Sequence, residues 1–250
     1  SFWLSLVVIL LFTGCKSNDQ PNPLPDNNVV GKASLWITTG DQQKLLSKQA
    51  DLDIVRDING VLPIVTIDTT ITYQTIDGFG AALTGSSAYL LNQRMSSGQR
   101  STLLQDLFHP AYGIGISYLR LTMGASDFSL SDFTYNDLAP GETDFDLEQF
   151  TLSQDLDNVV PVLKEILAIY PDIKLMGSPW SPPAWMKTNS SLVGGKLKTE
   201  CYEVYANYFV RYINAMSNQG IMIDAITPQN EPLHYTAAYP CMEMQPLEQA

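Results

Sequence analysis

The sequence has 250 residues, of which 45% are hydrophobic and 16% are charged, so it predicts a globular chain with a sizeable core. Fourteen Lys and Arg residues against 26 Asp and Glu residues give a formal net charge of -12. A surface this acidic repels phosphate backbones and anionic lipid headgroups, which argues against nucleic acid as a partner.

The first residues predict an export signal. An apolar run from Phe2 to Phe12 is too short to span a bilayer as a mature helix, and two small residues and Cys15 follow it. The stretch LFTGC resembles the lipobox of bacterial lipoproteins, in which the cysteine is acylated. We therefore expect residues 1–15 to be a lipoprotein signal peptide, with Cys15 anchoring an exported protein to a bacterial outer membrane or cell surface. An ordinary secretory signal with an incidental cysteine is the alternative.

The next two segments predict a linker and a β element. Residues 16–32 open with KSNDQPNPLPDNN, which is rich in Pro, Asn and Asp and has no apolar periodicity, so a linker is expected. From Ala33 the pattern changes, because ASLWITT alternates weakly and VLPIVTIDTTITYQTID is rich in β-branched residues with a period of two. Residues 33–77 are therefore predicted to form strands.

After Gly78 the predicted elements alternate. Four strands are predicted in GFGAAL, GISYLRLTM, IKLMGSPW and IDAITPQNEP. Helical spacing occupies residues 86–108 and the stretches LSQDLDNVVPVLKEILAIY and TECYEVYANYFVRYINAMSNQG, the first of these stretches with Pro161 in its middle or near its true start. Strands that alternate with helices predict an α/β domain with a parallel sheet.

This alternation admits two architectures. An open, doubly wound sheet would bind a nucleotide at a Gly-rich first turn, but the third glycine of GxGxxG would fall at Leu83, and no GK[ST] follows. A (β/α)8 barrel fits better, because three predicted strands end in unusual polar or aromatic residues, where barrel enzymes place their chemistry. A barrel needs about 250 residues, so residues 78–250 have room for about half of one.

Four motifs carry a resemblance to a known family. DGFGAALTGSSA, RLTMGASDF, SPWSPPAWMKTN and TPQNEP, between about Ile76 and Tyr239, resemble glycoside hydrolase family 30, which contains lysosomal glucosylceramidase and bacterial β-1,6-glucanases. Members of that family join a (β/α)8 TIM barrel to a β-sandwich built from segments before and after it. The resemblance implies that residues 33–77 belong to the sandwich, that residues 78–250 form the N-terminal half of the barrel, and that β-glycosides are hydrolysed with retention.

The resemblance assigns Glu231 in TPQNEP as the general acid/base. A glycosidic oxygen leaves poorly until it is protonated, so a carboxylic acid must be held within hydrogen-bond reach of it. Pro228 and Pro232 stiffen the backbone around Glu231, because proline fixes φ. Asn230 is expected to donate from its amide to the sugar 2-hydroxyl. For the Asn-Glu pair by itself, the alternative is a turn with a solvated glutamate.

Four more residues are expected at the site, each with an alternative. Trp180 matches the family's sugar-contacting tryptophan, or is a core aromatic residue. Asp127 matches the acid that binds glucose hydroxyls, or is a turn or N-cap residue. Arg120 matches the arginine that pairs with the nucleophile, or forms a structural ion pair with another carboxylate. Tyr239 could line the cleft together with Phe128, or simply pack.

Several questions stay open in the sequence. The resemblance places the nucleophile at the end of strand seven, far beyond Glu231. Glu243 and Glu248 follow Glu231 too closely in the sequence to be that nucleophile. No methionine and no basic n-region precede Ser1, and the expected nucleophile lies beyond Ala250, so a fragment at both ends is expected. The expected substrate is a β-1,6-glucan or a related β-glucoside; glucosylceramide or xylan, and a non-catalytic carbohydrate-binding protein, are the alternatives. No cofactor is expected, and two histidines exclude a three-His zinc site within this chain. Cys201 and Cys241 could pair or remain free thiols.

Overall fold

The computed structural model describes residues 29–56, 63 and 65–249. They fall into two compact units, one up to Ile71 and one from Thr72 onwards. The predicted signal peptide with Cys15 and residues 16–28 of the predicted linker lie outside the described residues. No helix within the described ranges is long and apolar enough to cross a membrane.

The first unit contains two small antiparallel pairs. Strand β1 (Val29–Ala33) pairs with β4 (Leu52–Val55), and β2 (Trp36–Ile37) pairs with β3 (Ser47–Lys48). Strand β1 begins at Val29, so residues 29–32, which were predicted to end the linker, lie in a strand.

The strand expected over residues 65–77 does not form. Its β-branched and aromatic side chains are exposed, among them Val65, Ile67 and Tyr73. β-branched residues favour strands only where a neighbouring strand and a packed face are present. Neither accompanies this stretch among the described residues, so its period-two pattern produces no ladder.

The second unit is built on a four-stranded parallel sheet. Its strands are β5 (Gly80–Leu83), β6 (Tyr118–Met123), β7 (Lys174–Pro179) and β8 (Ala225–Ile226), hydrogen-bonded in that order. Successive neighbours along the chain are therefore also neighbours in the sheet. The predicted parallel sheet of alternating strands and helices is confirmed.

Helices connect and follow these strands: α1 (Gly85–Tyr89), α2 (Ser97–Phe108), α3 (Ser153–Asp157), α4 (Val159–Ile169), α5 (Tyr202–Asn218) and α6 (Pro246–Gln249). Single turns of 3-10 helix occupy Ala184–Met186 and Thr199–Cys201, and one turn of π-helix occupies Leu90–Arg94.

Two predicted helices are interrupted. The helix expected over residues 86–108 breaks before Ser96, because the Ser96 side chain accepts from the Gln99 backbone and Gln99 reaches back to Ser96, which starts a new helix. The next predicted helix breaks at Asn158, whose side chain accepts from Asn92 and Gln93. Pro161 is the third residue of α4, so it lies near a true helix start, where its missing N–H is tolerated.

The core lies between the sheet and its helices. Leu119, Leu121 and Met123 of β6 are buried, while Arg120 and Thr122 alternate with them on the other face of the sheet. Helix α5 packs close to β7, because a Cβ on Gly177 would lie only 3.0 Å from the Tyr212 ring. This packing leaves the Arg120 face of the sheet available for the site.

A cluster of stacked aromatic rings stiffens this core. The Tyr135 ring lies 5.6 Å from that of Tyr212 and 5.9 Å from that of Tyr208, both nearly parallel to it. Burying side chains of this size stabilises the fold by about 1.5–3 kcal/mol each.

Cys201 and Cys241 are also buried, and both are free thiols, so the structure does not pair them.

Candidate active site

Backbone hydrogen bonds hold the segment of residues 224–230, which includes β8, along β7 to the carboxyl end of that strand. Three N–H groups donate to carbonyls of β7: Asp224 to Leu175 (2.8 Å), Thr227 to Gly177 (3.0 Å) and Asn230 to Pro179 (2.8 Å). The donors span six residue steps and the acceptors four, so this segment bulges as it passes β7. The bulges explain why β8 has only two residues and why Asn230 lies at the rim of the sheet.

Glu231 has an uncommon backbone conformation. Its φ is 43°, in the left-handed region that a residue other than glycine enters at a free-energy cost of about 1–3 kcal/mol. The His234 N–H donates to the Glu231 carbonyl (2.8 Å), and the Met244 N–H donates to the Pro232 carbonyl (2.7 Å). These bonds hold the strained turn, and the Glu231 side chain is exposed to solvent.

A network of side chains fixes Asn230 beside this glutamate. The Arg120 Nη2 group donates to Asn230 Oδ1 (2.7 Å) and to Ser178 Oγ (2.8 Å). The Thr227 hydroxyl donates to the same serine oxygen (2.7 Å). Since the Asn230 oxygen is occupied by Arg120, its Nδ2 group is directed to the other side, where it lies 3.5 Å from Glu231 Oε2. The network therefore orients an amide donor next to the proposed acid.

Arg120 lies above Trp180. Its guanidinium carbon is 4.7 Å from the centre of the Trp180 ring, which is only 6% exposed. Burial lowers the pKa of Arg120, while the charges of Glu231 and Asp127 act in the opposite direction. Arg120 forms no ion pair within 4.0 Å in the described part of the chain, so the alternative of a structural ion pair is not observed there. Its guanidinium group instead donates to two neutral acceptors, Ser178 and Asn230, at the end of the sheet.

Tyr239 and Asp127 lie close enough to affect this group electrostatically. Partial burial raises the pKa of Tyr239, and the negative charges of Glu231 and Asp127 raise it further. The Tyr239 hydroxyl lies 3.2 Å from His234 Nε2. Asp127 is exposed and follows β6 in a tight turn. Arg120, Trp180, Asn230 and Glu231 thus form a connected chain of contacts, with these two residues at its margin.

Sequence reasoning missed three residues of the network, Ser178, Thr227 and Gln229. The Gln229 Nε2 group donates to the Trp180 carbonyl (2.7 Å) and so connects the segments that carry Trp180 and Glu231. Ser178 lies in β7, two residues before Trp180, but only its bonds with Arg120 and Thr227 show its part in the network.

The two acids that follow Glu231 lie elsewhere. Glu243 forms an ion pair with Lys196 (3.1 Å), and Glu248 lies 3.9 Å from the same lysine. Both carboxylates are therefore engaged with a surface lysine. Within the described residues, no group of three His, Cys, Asp or Glu side chains is arranged to hold a metal ion.

Known proteins resemble this chain in sequence. The model of the glycosyl hydrolase family 30 TIM-barrel domain matches residues 76–247. An endo-1,6-beta-D-glucanase of Neurospora crassa is 39% identical over 185 residues, which are 71% of this chain and 38% of that protein. The lysosomal acid glucosylceramidase of Mus musculus is 30% identical over 235 residues, 91% of this chain and 44% of that protein.

Solved structures agree with these sequence matches. The endo-beta1,6-glucanase BT3312 superposes with a TM-score of 0.70 at 37% identity, covering 86% of this chain and 46% of that one. SrfJ from Salmonella typhimurium superposes with a TM-score of 0.74 at 27% identity, covering 88% of this chain and 48% of that one. This chain thus spans less than half the length of the relatives that it matches. The predicted (β/α)8 barrel is confirmed, with the four strands β5 to β8 as its described part, and the chain belongs to glycosyl hydrolase family 30.

Proposed function

We propose that the whole protein is a retaining β-glycosidase in which Glu231 is the general acid/base. The observation that carries this proposal is the oriented pair at the rim of the sheet, where Arg120 fixes the Asn230 amide beside the Glu231 carboxyl group. Family membership supplies the reaction class, since retaining glycosidases use two carboxyl groups on opposite sides of the scissile bond.

The geometry suits proton transfer to a leaving group. Glu231 is exposed at the carboxyl end of the strands, so a bound substrate could reach it. The Asn230 amide, whose oxygen already accepts from Arg120, has N–H donors left for a sugar hydroxyl. In this proposal Glu231 protonates the glycosidic oxygen and later deprotonates the attacking water. The resemblance implies that the nucleophile is a carboxylate at the end of strand seven, outside the described residues, and Glu243 and Glu248 instead lie near Lys196.

We propose a β-1,6-glucan or a related β-glucoside as the substrate. The fungal endo-1,6-glucanase at 39% identity and the solved endo-beta1,6-glucanase at 37% support this choice over glucosylceramide by a small margin, since the similar glucosylceramidases are 28% to 35% identical. Xylan is less favoured, because a solved xylanase of the family, xylanase C from Talaromyces cellulolyticus, is 28% identical with a TM-score of 0.59.

The decisive experiment replaces Glu231 by Gln in the full-length protein. A proton donor matters only when the leaving group is poor, so kcat/KM for β-1,6-glucan or an alkyl β-glucoside should fall steeply. A dinitrophenyl β-glucoside, whose phenolate leaves without protonation, should lose far less. The covalent intermediate should accumulate, because its hydrolysis needs the missing base. Azide should restore turnover and yield the β-glycosyl azide.

Glu203→Gln is the matched control. It makes the same change on an exposed residue of helix α5, outside the loop that carries Glu231, so its kinetics should stay close to those of the wild type. Equal losses of Glu231→Gln on good and poor leaving groups, without azide rescue, would contradict an acid/base role. Sugar binding without turnover by the wild-type protein would favour the non-catalytic alternative.

We further propose that the protein is a lipoprotein anchored through Cys15 to a bacterial outer membrane or cell surface. The LFTGC stretch after a short apolar run supports this location. An anchored enzyme at the surface would meet polysaccharide rather than intracellular sphingolipid, which accords with the proposed substrate.

A further inference from the structure

Lys187 is a buried cation that the mechanism does not use. It follows the 3-10 turn Ala184–Met186, and its side chain is 0% exposed. Its ammonium nitrogen donates to three oxygens, Ser181 Oγ (2.9 Å), the Leu192 carbonyl (2.7 Å) and the Cys241 carbonyl (2.7 Å). An ammonium group has three donors, so all of its hydrogen bonds are satisfied.

All three acceptors are neutral, which makes the choice of lysine unusual. Burial lowers the pKa of Lys187 to about 7, while an electrostatic interaction with the Cys241 side chain acts in the opposite direction. Below that pH the group carries three N–H donors, whereas the neutral amine would offer two donors and turn a lone pair towards an oxygen. Burying a cation without a carboxylate partner costs several kcal/mol, and a methionine would fill the same volume without that cost. A specific role for the charged donor is therefore indicated.

The three acceptors belong to two different loops. Ser181 and Leu192 lie in the loop of residues 180–198, here called the tryptophan loop because Trp180 opens it. Cys241 lies in the loop of residues 227–245, here called the acid loop because it carries Glu231. The two loops are also joined by backbone bonds, in which Cys241 N–H donates to the Leu192 carbonyl and Glu243 N–H to the Gly195 carbonyl, both at 3.0 Å.

From this geometry we propose that Lys187 is a positioning residue for the acid/base, whose ammonium group fastens the acid loop to the tryptophan loop. The inference rests on the proposed function of Glu231. Without the ammonium group, the Cys241 carbonyl loses a charge-assisted bond and the acid loop can shift relative to Trp180. Misplacing a catalytic group by about 1 Å can lower the rate about a hundredfold, so a small displacement is enough to matter.

The test compares Lys187→Met with Lys198→Met in the full-length protein. Lys198 is the matched control, because its ammonium group donates to the Trp185 carbonyl (2.9 Å) within the tryptophan loop and does not reach the acid loop. For an alkyl β-glucoside, Lys187→Met should lower kcat/KM by about tenfold to a hundredfold. The dinitrophenyl β-glucoside should change little, because its leaving group needs no proton. Lys198→Met should change kcat/KM for the two substrates by the same factor.

The ratio of the two substrates separates positioning from general destabilisation. A lower fraction of folded enzyme reduces both rates equally and leaves the ratio unchanged. If Lys187→Met does not fold, Ser181→Ala decides, since it removes one acceptor and should give a smaller loss of the same selectivity. Where both variants fold, the Ser181→Ala effect should nearly vanish in the Lys187→Met background, because the two residues share one bond.

Three results would overturn the inference. These are equal losses on both leaving groups, no loss in a folded Lys187→Met protein, and the same selectivity in Lys198→Met. Different results would refute the proposed function. These are equal losses of Glu231→Gln on good and poor leaving groups, or a wild-type protein without turnover. If Glu231→Gln is selective and Lys187→Met is not, only the positioning role of Lys187 is refuted.

Discussion

Asp155 makes the stability of the second unit depend on pH. This residue of α3 is 4% exposed, and the Tyr135 hydroxyl donates to its Oδ2 atom (2.6 Å). Burial raises the pKa of Asp155 from 3.8 to about 7, although the bond from Tyr135 opposes the change. The rings of Tyr208 and Tyr212 pack against Tyr135, and burial raises the pKa of each, so both stay neutral over the relevant range.

The sign follows from proton binding. The folded state holds the Asp155 proton more tightly than the unfolded state, so its contribution to stability is fully present below about pH 4 and is lost as the pH rises to 7. A difference of about 3 pKa units, at 1.36 kcal/mol each, gives roughly 4 kcal/mol over this window. Asp155→Asn has no proton to lose, and its amide oxygen can still accept from Tyr135. At pH 8 the variant should therefore be more stable than the wild type by up to about 4 kcal/mol relative to their difference at pH 4.

Urea denaturation between pH 4 and pH 8 would measure this difference. Asp157→Asn is the matched control, because it makes the same change on an exposed residue of the same helix and should reproduce the wild-type profile. Parallel profiles for Asp155→Asn and the wild type would refute the reasoning. They would mean that Asp155 is ionised in the folded protein at neutral pH without a free-energy cost.

The remaining predictions concern the candidate site and the proposed lipid anchor. Arg120→Lys cannot reproduce the guanidinium that serves Asn230 and Ser178 while stacking on Trp180, so kcat/KM should fall by about tenfold to a hundredfold. Arg100→Lys, at an ion pair with Glu165 between helices, should cause little loss, and equal kinetics of the two variants would contradict the role of Arg120. Cys15→Ala should abolish incorporation of labelled fatty acid and release the protein from membranes, whereas Cys201→Ala should keep the label. Label retained by Cys15→Ala would show that the lipoprotein assignment is wrong.

The sequence predicts the parallel sheet well, because its strands are short apolar runs that alternate with amphipathic helices. Helix α5 shows why, since its buried residues recur three and four positions apart and so point to the sheet. The interruptions were missed because they depend on side-chain hydrogen bonds rather than on hydrophobic period. One is the cap of Ser96 with Gln99, and the other is the contact of Asn158 with Asn92 and Gln93. The strand expected over residues 65–77 failed for the opposite reason, because a strand pattern needs a partner to become a strand.

The site was predicted in part. Arg120, Trp180, Asn230 and Glu231 were each identified from a motif, and the structure brings them into contact. Ser178, Thr227 and Lys187 were not identified, because a hydrogen-bonding serine, threonine or lysine has no local sequence signature. Their importance comes from neighbours that lie far away along the chain, such as Arg120 for Ser178 and Cys241 for Lys187.

Two physical causes fix the backbone conformation of Glu231. Pro228 and Pro232 limit the local backbone, but two prolines cannot by themselves hold a glutamate at a φ of 43° against a strain of about 1–3 kcal/mol. Backbone hydrogen bonds to other segments hold that conformation. The Asn230 N–H donates to the Pro179 carbonyl of β7, and the Met244 N–H donates to the Pro232 carbonyl. The position of the proposed acid is therefore a property of tertiary structure. A substitution that loosens the acid loop should impair proton transfer even where every residue of TPQNEP is intact.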